Sequence, residues 1–163
     1  MENPLWGRMK DSIAEGSYFT QTLSDAALDI IGEIDKSEIV NVAIVGDTTI
    51  TNVPAIMRAF ASLARYFGDR ELYQVLVGDM PGVEEVIVRA CKKNDVKYVQ
   101  YRLRQREDIE WPAPVVERNR NMLKNAHVVL VITDGQSKET DSMYREAREA
   151  GLIVMKRIIR KKS

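Results

Sequence analysis

The stretch HVVLVITDGQSKETDSMYREAREAGLIV, residues 127–154, contains a nearly continuous apolar run, a polar turn, a helical segment and the start of a second apolar run. The run over 127–135 is typical of a central strand that is covered on both faces. The turn reaches Ser137, a residue type that caps helices, so a helix is predicted to begin near Ser137 or Lys138. The order strand, helix, strand indicates a βαβ unit of a parallel sheet.

Four more apolar runs repeat this alternation along the chain. They span residues 39–46, 72–78, 96–103 and 152–159. Helices are predicted to begin near Asn52 with Pro54 in the first turn, near Pro81 and near Pro114. Five strands that alternate with helices predict an α/β fold over residues 38–163. We expect a Rossmann-like three-layer sandwich with a five-stranded, mostly parallel sheet.

Residues 1–37 lack this alternation and include a helical pattern of their own. Ala27, Ile30, Ile31 and Ile34 recur at the spacing of one helical face. A helix with one apolar face needs a surface to cover. We therefore predict that residues 1–37 form an N-terminal helical extension packed on the core.

The composition is that of one globular domain. Of the 163 residues, 45% are hydrophobic and 29% charged, close to the average for soluble proteins. The 24 basic residues balance the 24 acidic ones, which argues against a protein that coats nucleic acid or binds membranes through a polybasic surface. The balance is uneven, since residues 1–82 hold 6 basic and 12 acidic residues and residues 83–163 hold 18 and 12. This asymmetry indicates attraction between the halves, a basic site for an anion, or only solvated faces.

The single cysteine, Cys91, excludes an intrachain disulfide, and the sequence shows no signal peptide and no apolar run of membrane-spanning length. We therefore predict a reduced, cytoplasmic protein without membrane contact. Because His127 is the only histidine beside this one cysteine, we also predict no metal site, and no motif indicates a cofactor.

The polar turns after three predicted strands form the candidate ligand site. Ligands of open parallel sheets bind outside the carboxyl ends of the strands, where these turns meet. Glycine lets the backbone approach a ligand, and helix starts can hold phosphate. Turns and caps use the same residue types for purely structural reasons, so one turn alone would favour that interpretation, whereas three favour a site. The candidates are Gly46, Asp47, Thr48, Gly78, Asp79, Gly82, Asp134, Gly135 and Ser137.

The segment VERNRNML, residues 116–123, adds Arg118 and Asn119 at the start of the helix before the fourth strand. A guanidinium can grip phosphate or carboxylate with two parallel bonds, and a neighbouring amide can orient a ribose or a base. The same segment is equally compatible with an exposed helix whose charges only contact solvent. The spacing leaves both interpretations open.

Read together, these segments resemble the SLOG superfamily, which joins the DprA and LOG Rossmannoid domains, and within it the small YspA-like branch of bacteria and phages. That branch has a Gly-Ser-Arg type first loop, a Gly-Gly-x-x-Gly-x-Asp second loop, an Arg-Asn-x-x-Met helix and a Gly-x-Ser-x-Gly-Thr fourth loop. The likeness covers about residues 40–154 and is strongest over residues 118–150. The resemblance implies a nucleotide-like ligand at the carboxyl edge of the sheet.

The resemblance also assigns roles to single positions. Glu84 stands where the second loop has aspartate and would hold a ribose hydroxyl, Asp79 replaces a glycine, and Glu139 replaces a glycine of the fourth loop that admits phosphate. The matching positions are Gly46, Asp47, Thr48, Gly78, Asp79, Gly82, Glu84, Arg118, Asn119, Met122, Gly135, Ser137, Glu139 and Thr140. Among them, Ser137 and Thr140 would supply hydroxyl contacts.

The predicted function is therefore the binding of a nucleotide or a nucleotide-derived small molecule, with no catalytic residue assigned. One alternative is an N-glycosidic hydrolase or transferase that acts on nucleotides. In the related LOG phosphoribohydrolases a glutamate serves this chemistry, and Met143 stands at its place here. Of the remaining acids Glu84, Glu139 and Asp141, the spacing favours none.

A second alternative is a DNA-linked or protein-partner module. It depends on Arg102, Arg104 and Arg106, which alternate and would share one face if the third strand continued through them. Tyr98 and Tyr101 would then lie on opposite faces, which does not provide a stacking platform for bases. Nucleic acid is thus the less favoured partner, and a homo-oligomer stays open.

Overall fold

In the computed structural model, strands alternate with helices through the described residues, 39–63, 73–103 and 113–159. The strands are β1 Val40–Gly46, β2 Tyr73–Gly78, β3 Tyr98–Tyr101, β4 Val128–Thr133 and β5 Ile153–Ile158. The helices are α1 Val53–Ala61, α2 Val83–Lys93, α3 Ala113–Lys124 and α4 Lys138–Glu149. The predicted α/β fold with its five strands is confirmed. The predicted helical extension over residues 1–37 lies outside the described residues.

The five strands form one parallel sheet in the order β3-β2-β1-β4-β5. β1 is central, and its Val42 is in register with Val75 of β2 and Val128 of β4. The chain moves outward from β1 through β2 to β3 and then returns to the other side of β1 for β4 and β5. The order of the strands therefore reverses between β1 and β4, where parallel sheets of this kind bind ligands at the carboxyl edge.

The helices cover both faces of the sheet in pairs. On one face, α1 and α2 contribute Ile56 and Ile87 to a core that includes Ile44. On the other, α3 and α4 contribute Met122 and Ala147 to a separate core. All six residues of β4 are buried, as expected for a strand with apolar layers above and below it. The predicted three layers are present.

Two helix starts follow from their capping residues. The Asn52 side chain accepts a hydrogen bond from the backbone N–H of Ala55, and the Ser137 side chain accepts one from Thr140. Both predicted starts are confirmed. α2 begins at Val83 rather than at Pro81, because Gly82 lies in a backbone conformation with φ of 82° and serves as the N-cap.

β3 is shorter than the predicted strand over residues 96–103, since it ends at Tyr101. The backbone N–H of Leu103 donates to both carboxylate oxygens of Asp79, at 3.1 and 3.2 Å, instead of extending the sheet. The expected continuation of the strand through Arg102 is therefore wrong. The other two arginines of that pattern, Arg104 and Arg106, lie outside the described residues.

Four residues singled out by the sequence contact only other parts of the fold. Tyr98 and Tyr101 pack against the cores on opposite faces of the sheet, as predicted. His127 precedes β4, and its Nδ1 accepts a hydrogen bond of 2.9 Å from the Asn41 backbone near the amino end of β1. Cys91 is fully buried, and burial raises the pKa of its thiol to about 11. Within the part of the chain that the structure describes, no helix combines the length and the apolar character needed to cross a membrane.

Candidate functional site

A cleft of about 190 Å³ lies at the carboxyl end of β1, between the N-terminal halves of α2, α3 and α4. Seven predicted site residues line it, namely Gly46, Thr48, Glu84, Arg118, Asn119, Ser137 and Thr140. Five further residues complete the lining, namely Val45, Met80, Val115, Glu139 and Met143. The structure thus brings three loops and one helix together at the point where the strand order reverses.

The other predicted site residues are Asp47, Gly78, Asp79, Gly82, Asp134 and Gly135, and none of them lines the cleft. Asp79 forms an ion pair with Arg118, and a side chain at Gly78 would collide with Arg118. Asp47 accepts a hydrogen bond from the loop after β4. Asp47, Gly78 and Asp79 therefore lie behind the lining of the cleft rather than at its surface.

Arg118 is buried against the cleft, with 6% of its surface exposed. Its Nη1 lies 3.1 Å from Asp79 Oδ1, and its Nη2 lies 2.9 Å from Glu84 Oε1. Both Nε and Nη2 also donate to Asn119 Oδ1, at 3.1 and 2.8 Å. Every nitrogen of the guanidinium therefore has an acceptor from the protein, and two carboxylates balance its charge.

Arg118, Asp79, Glu84 and Asn119 form one set of hydrogen-bonded side chains, which we call the Arg118 network. The second oxygen of Glu84 accepts the backbone N–H of Met80 at 2.8 Å. Burial raises the pKa of Glu84, and the charge and hydrogen bonds of Arg118 offset part of that rise. The network joins the end of β2 to α2 and α3, so it fixes the distance between the walls of the cleft.

Gly78 is a glycine because the Arg118 network lies directly on the backbone of β2. A Cβ atom at this position would be 2.5 Å from the guanidinium carbon of Arg118 and 2.6 Å from Oε1 of Glu84. Any larger residue would push both side chains away. The glycine-containing turn predicted a place where a ligand approaches the backbone, but here the close approach is made by the protein itself.

Asp47 is a buried carboxylic acid at the end of β1, with 2% of its surface exposed. Its Oδ2 accepts hydrogen bonds from the Thr133 hydroxyl at 3.0 Å and from the Asp134 backbone at 2.8 Å. Its Oδ1 is buried and accepts no hydrogen bond of normal geometry. Burial is the main cause that raises the pKa of Asp47. Hydrogen bonds from the Thr140 side chain, the Asp134 backbone and the Thr133 hydroxyl offset part of the rise, whereas the Asp134 side chain adds to it.

The loop between β4 and α4 is held by its own polar groups. The backbone N–H of Gly135 donates to the Thr133 hydroxyl at 3.0 Å, and that of Gln136 donates to Asp134 Oδ1 at 2.8 Å. The Ser137 hydroxyl caps α4 and lies 3.3 Å from a carboxylate oxygen of Glu139. Glu139 is exposed and projects from the first turn of α4 into the lining of the cleft.

The lining residues that were not assigned to the site follow a recognisable spacing. Val115 lies three and four positions before Arg118 and Asn119 in α3, and Met143 lies three after Thr140 in α4. Residues at these intervals share one helical face. Helical spacing from the polar candidates would therefore have found both apolar residues. Met80 lies inside the loop between Gly78 and Gly82. Its position in a loop that was assigned to the site is the only feature that would have indicated it.

A second cavity, which we call the outer groove, adjoins the cleft between α3 and α4. Its volume is about 220 Å³. It shares four lining residues with the cleft, namely Val115, Asn119, Glu139 and Met143. The rest of its lining consists of Val116, Lys138, Ser142 and Glu146. Because of the shared walls, one small molecule could occupy both spaces.

Comparisons of this chain with models of protein families, with curated proteins and with solved structures find no match. Among the described residues, no group of three or more His, Cys, Asp or Glu side chains could hold a metal ion. What this site does is therefore inferred from its own geometry.

Replacing Asp47 with asparagine should flatten the dependence of stability on pH. The pKa of Asp47 is higher in the folded protein than its ordinary value of 3.8, so folding favours the protonated acid. That contribution is complete below pH 3.8 and is lost as the pH rises through the raised pKa. We expect Asp47→Asn to gain stability relative to the wild type as the pH is raised toward 8.

Urea denaturation followed by circular dichroism between pH 4 and pH 8 measures this difference. Glu84 contributes in the same direction in both proteins, so it cancels in the comparison. The matched control is Asp95→Asn, the same change at an exposed turn, and it should keep the wild-type pH profile. Parallel profiles for the wild type and Asp47→Asn would contradict the interpretation.

Proposed function

We propose that the cleft binds a nucleotide-derived small molecule. The observation that carries the proposal is Asn119, which is 7% exposed and lines both the cleft and the outer groove. Its Oδ1 is fixed by two hydrogen bonds from Arg118, whereas no described residue accepts a hydrogen bond from its Nδ2. Nδ2 is not among the enclosed side-chain atoms that lack a partner, so solvent or a ligand reaches it. A rigid amide with unused donors beside a cavity is suited to hold a ligand.

The two cavities support a ligand with a polar part and a flat apolar part. The cleft offers the hydroxyls of Ser137 and Thr140 and the exposed Thr48 at its entrance. The outer groove is more apolar than the cleft. Its apolar lining consists of Val115, Val116 and Met143. A nucleoside has both parts, since its sugar carries hydroxyls and its base is a flat ring. Small-molecule sites combine apolar walls with a few placed polar groups in this way.

The proposal concerns binding rather than hydrolysis. Both oxygens of Glu84 are engaged by Arg118 and Met80, and Asp141 is paired with Arg145. Two of the three candidate acids are therefore occupied, and Glu139 is the one whose carboxylate lines the cleft without an ion pair. One available carboxylate does not favour N-glycosidic chemistry over binding. Release of free base, measured by chromatography on the samples used for binding, would extend the function to that chemistry.

Isothermal titration calorimetry with the full chain tests the proposal, using the four common ribonucleosides, their 5′-monophosphates and NAD. We expect at least one compound to bind, and Asn119→Asp to weaken that binding about fivefold. This variant keeps an oxygen for Arg118 but removes the Nδ2 donors, and one lost hydrogen bond is worth about 1 kcal/mol.

The matched control for this variant is Asn121→Asp, the same change two residues later on the exposed side of α3. It should leave the affinity unchanged. Absence of binding by every compound would overturn the proposal. Equal loss in both variants would show that the added charge, rather than the amide of Asn119, controls the affinity.

A further inference from the structure

Six backbone N–H groups around the cleft are already occupied by acceptors from the protein. Phosphate sites in parallel α/β folds depend on such groups at the starts of helices. Here Glu84 accepts from one at 2.8 Å, and Asp47 accepts from another at 2.8 Å through its side chain. The occupied N–H groups belong to Met80, Val83, Asp134, Gly135, Gln136 and Thr140.

Two of the three helices that begin beside the cleft, α2 and α4, carry their own anions. α2 has Glu84 and Glu85 in its first turn, and α4 has Glu139 and Asp141 in its first turn. Carboxylates at these positions neutralise the positive end of the helix dipole. An incoming phosphate would therefore meet a negative side chain at the starts of α2 and α4 instead of a free positive end.

The positive charge in the lining of the cleft is already paired with carboxylates of the protein. Arg118 is the single cation among the residues that line the cleft, beside the carboxylates of Glu84 and Glu139. Its guanidinium already contacts Glu84 and Asp79. The described lining of the cleft thus has a net negative charge, and its one cation is already paired with carboxylates. A second cation, Lys138, lines the outer groove rather than the cleft. The carboxylates of the lining would repel a bound phosphate, and the repulsion is stronger where the groups are more buried.

We infer that the cleft selects the nucleoside part of its ligand and rejects a phosphate group, so that the preferred ligand is an unphosphorylated nucleoside. This inference rests on the proposed function. The carboxylate of Glu139 can accept hydrogen bonds from sugar hydroxyls or from an amino group, and the free donors of Asn119 can meet a carbonyl or ring nitrogen. Both groups are complementary to a nucleoside, and the same carboxylate repels a phosphate.

Calorimetric titrations of the full chain with adenosine, guanosine, cytidine and uridine and with each 5′-monophosphate test this inference. The measured quantity is the affinity ratio between each nucleoside and its own monophosphate. We expect the nucleoside to bind at least as tightly as the monophosphate. Glu139→Gln should improve the relative affinity of the monophosphate about fivefold, because it removes one negative charge from the lining.

The control is Glu149→Gln, which makes the same change in net charge at an exposed position at the other end of α4. It should leave the ratio unchanged. A monophosphate that binds tenfold more tightly than its nucleoside would overturn the inference and leave the proposed function standing. No binding by any compound would overturn both. An equal change of the ratio in the two variants would overturn the role of Glu139.

Discussion

Replacing Arg118 with methionine should destabilise the protein by about 3–5 kcal/mol, because it leaves a buried carboxylate without its partner. Glu84 is 3% exposed, and its Oε1 depends on Arg118 Nη2 at 2.9 Å. The variant also removes two hydrogen bonds from Asn119. Urea denaturation followed by circular dichroism at pH 7 measures the change in the free energy of unfolding.

The matched control is Arg120→Met on the same helix. Arg120 also forms an ion pair of 3.1 Å, with Glu146, but its side chain is 63% exposed. An ion pair in contact with water contributes little, so we expect a loss of about 0–1 kcal/mol. Similar losses for the two variants would show that burial of the Arg118 network does not determine its energetic importance.

A double variant separates the unpaired charge from lost packing. Glu84→Gln combined with Arg118→Met removes the buried carboxylate together with its partner, while the side chains keep similar volumes. We expect the double variant to recover about half of the stability lost by Arg118→Met alone. No recovery would indicate that Arg118 acts through its packing and its contact with Asn119.

Replacing Gly82 with alanine should be about as damaging, with an expected loss of about 3–5 kcal/mol. Gly82 has φ of 82° and ψ of −126°, a region that residues with a Cβ occupy at a cost of about 1–3 kcal/mol. A Cβ here would also lie 2.6 Å from the carbonyl oxygens of Asp47 and Thr48. Backbone atoms cannot rotate away, so overpacking adds to the strain.

Gly135→Ala is the control, since Gly135 has a similar φ of 88° but no atom within 4 Å of the added Cβ. Gly135→Ala should lower the free energy of unfolding only by the cost of the backbone conformation, about 1–2 kcal/mol. Thermal unfolding by calorimetry compares the two variants. Equal losses would show that the contact between the first two loops has no effect and that backbone conformation alone explains Gly82.

The parts of the fold that sequence reasoning predicted well depend on local signals. The start of α4 was predicted because Ser137 caps its own helix, and the start of α1 because Asn52 does. The end of β3 was predicted wrongly because Asp79, a residue more than twenty positions earlier, takes the backbone N–H of Leu103. The residues around β3 in the sequence do not include Asp79, so they cannot show that it takes this N–H from the sheet.

The candidate site shows the same division. The loops were found because the carboxyl ends of parallel strands must meet at one edge. What their residues do there was open, since Arg118 could have faced a ligand or solvent. In the fold it meets Asp79 and Glu84, which are 39 and 34 positions away in the sequence. That pairing turns a candidate anion contact into a wall of the cleft.

The sequence by itself determined the alternation of strands and helices, the parallel sheet and the edge at which the candidate site lies, because periodicity and capping act over a few residues. Only the tertiary structure decided which polar groups remain free for a ligand. Asp79 and Glu84 pair with Arg118, and Asp47 accepts the N–H of Asp134, whereas no described residue accepts a hydrogen bond from Nδ2 of Asn119. A hydrogen-bond donor satisfied inside the protein is lost to a ligand, and that outcome depends on which segments meet in the folded chain.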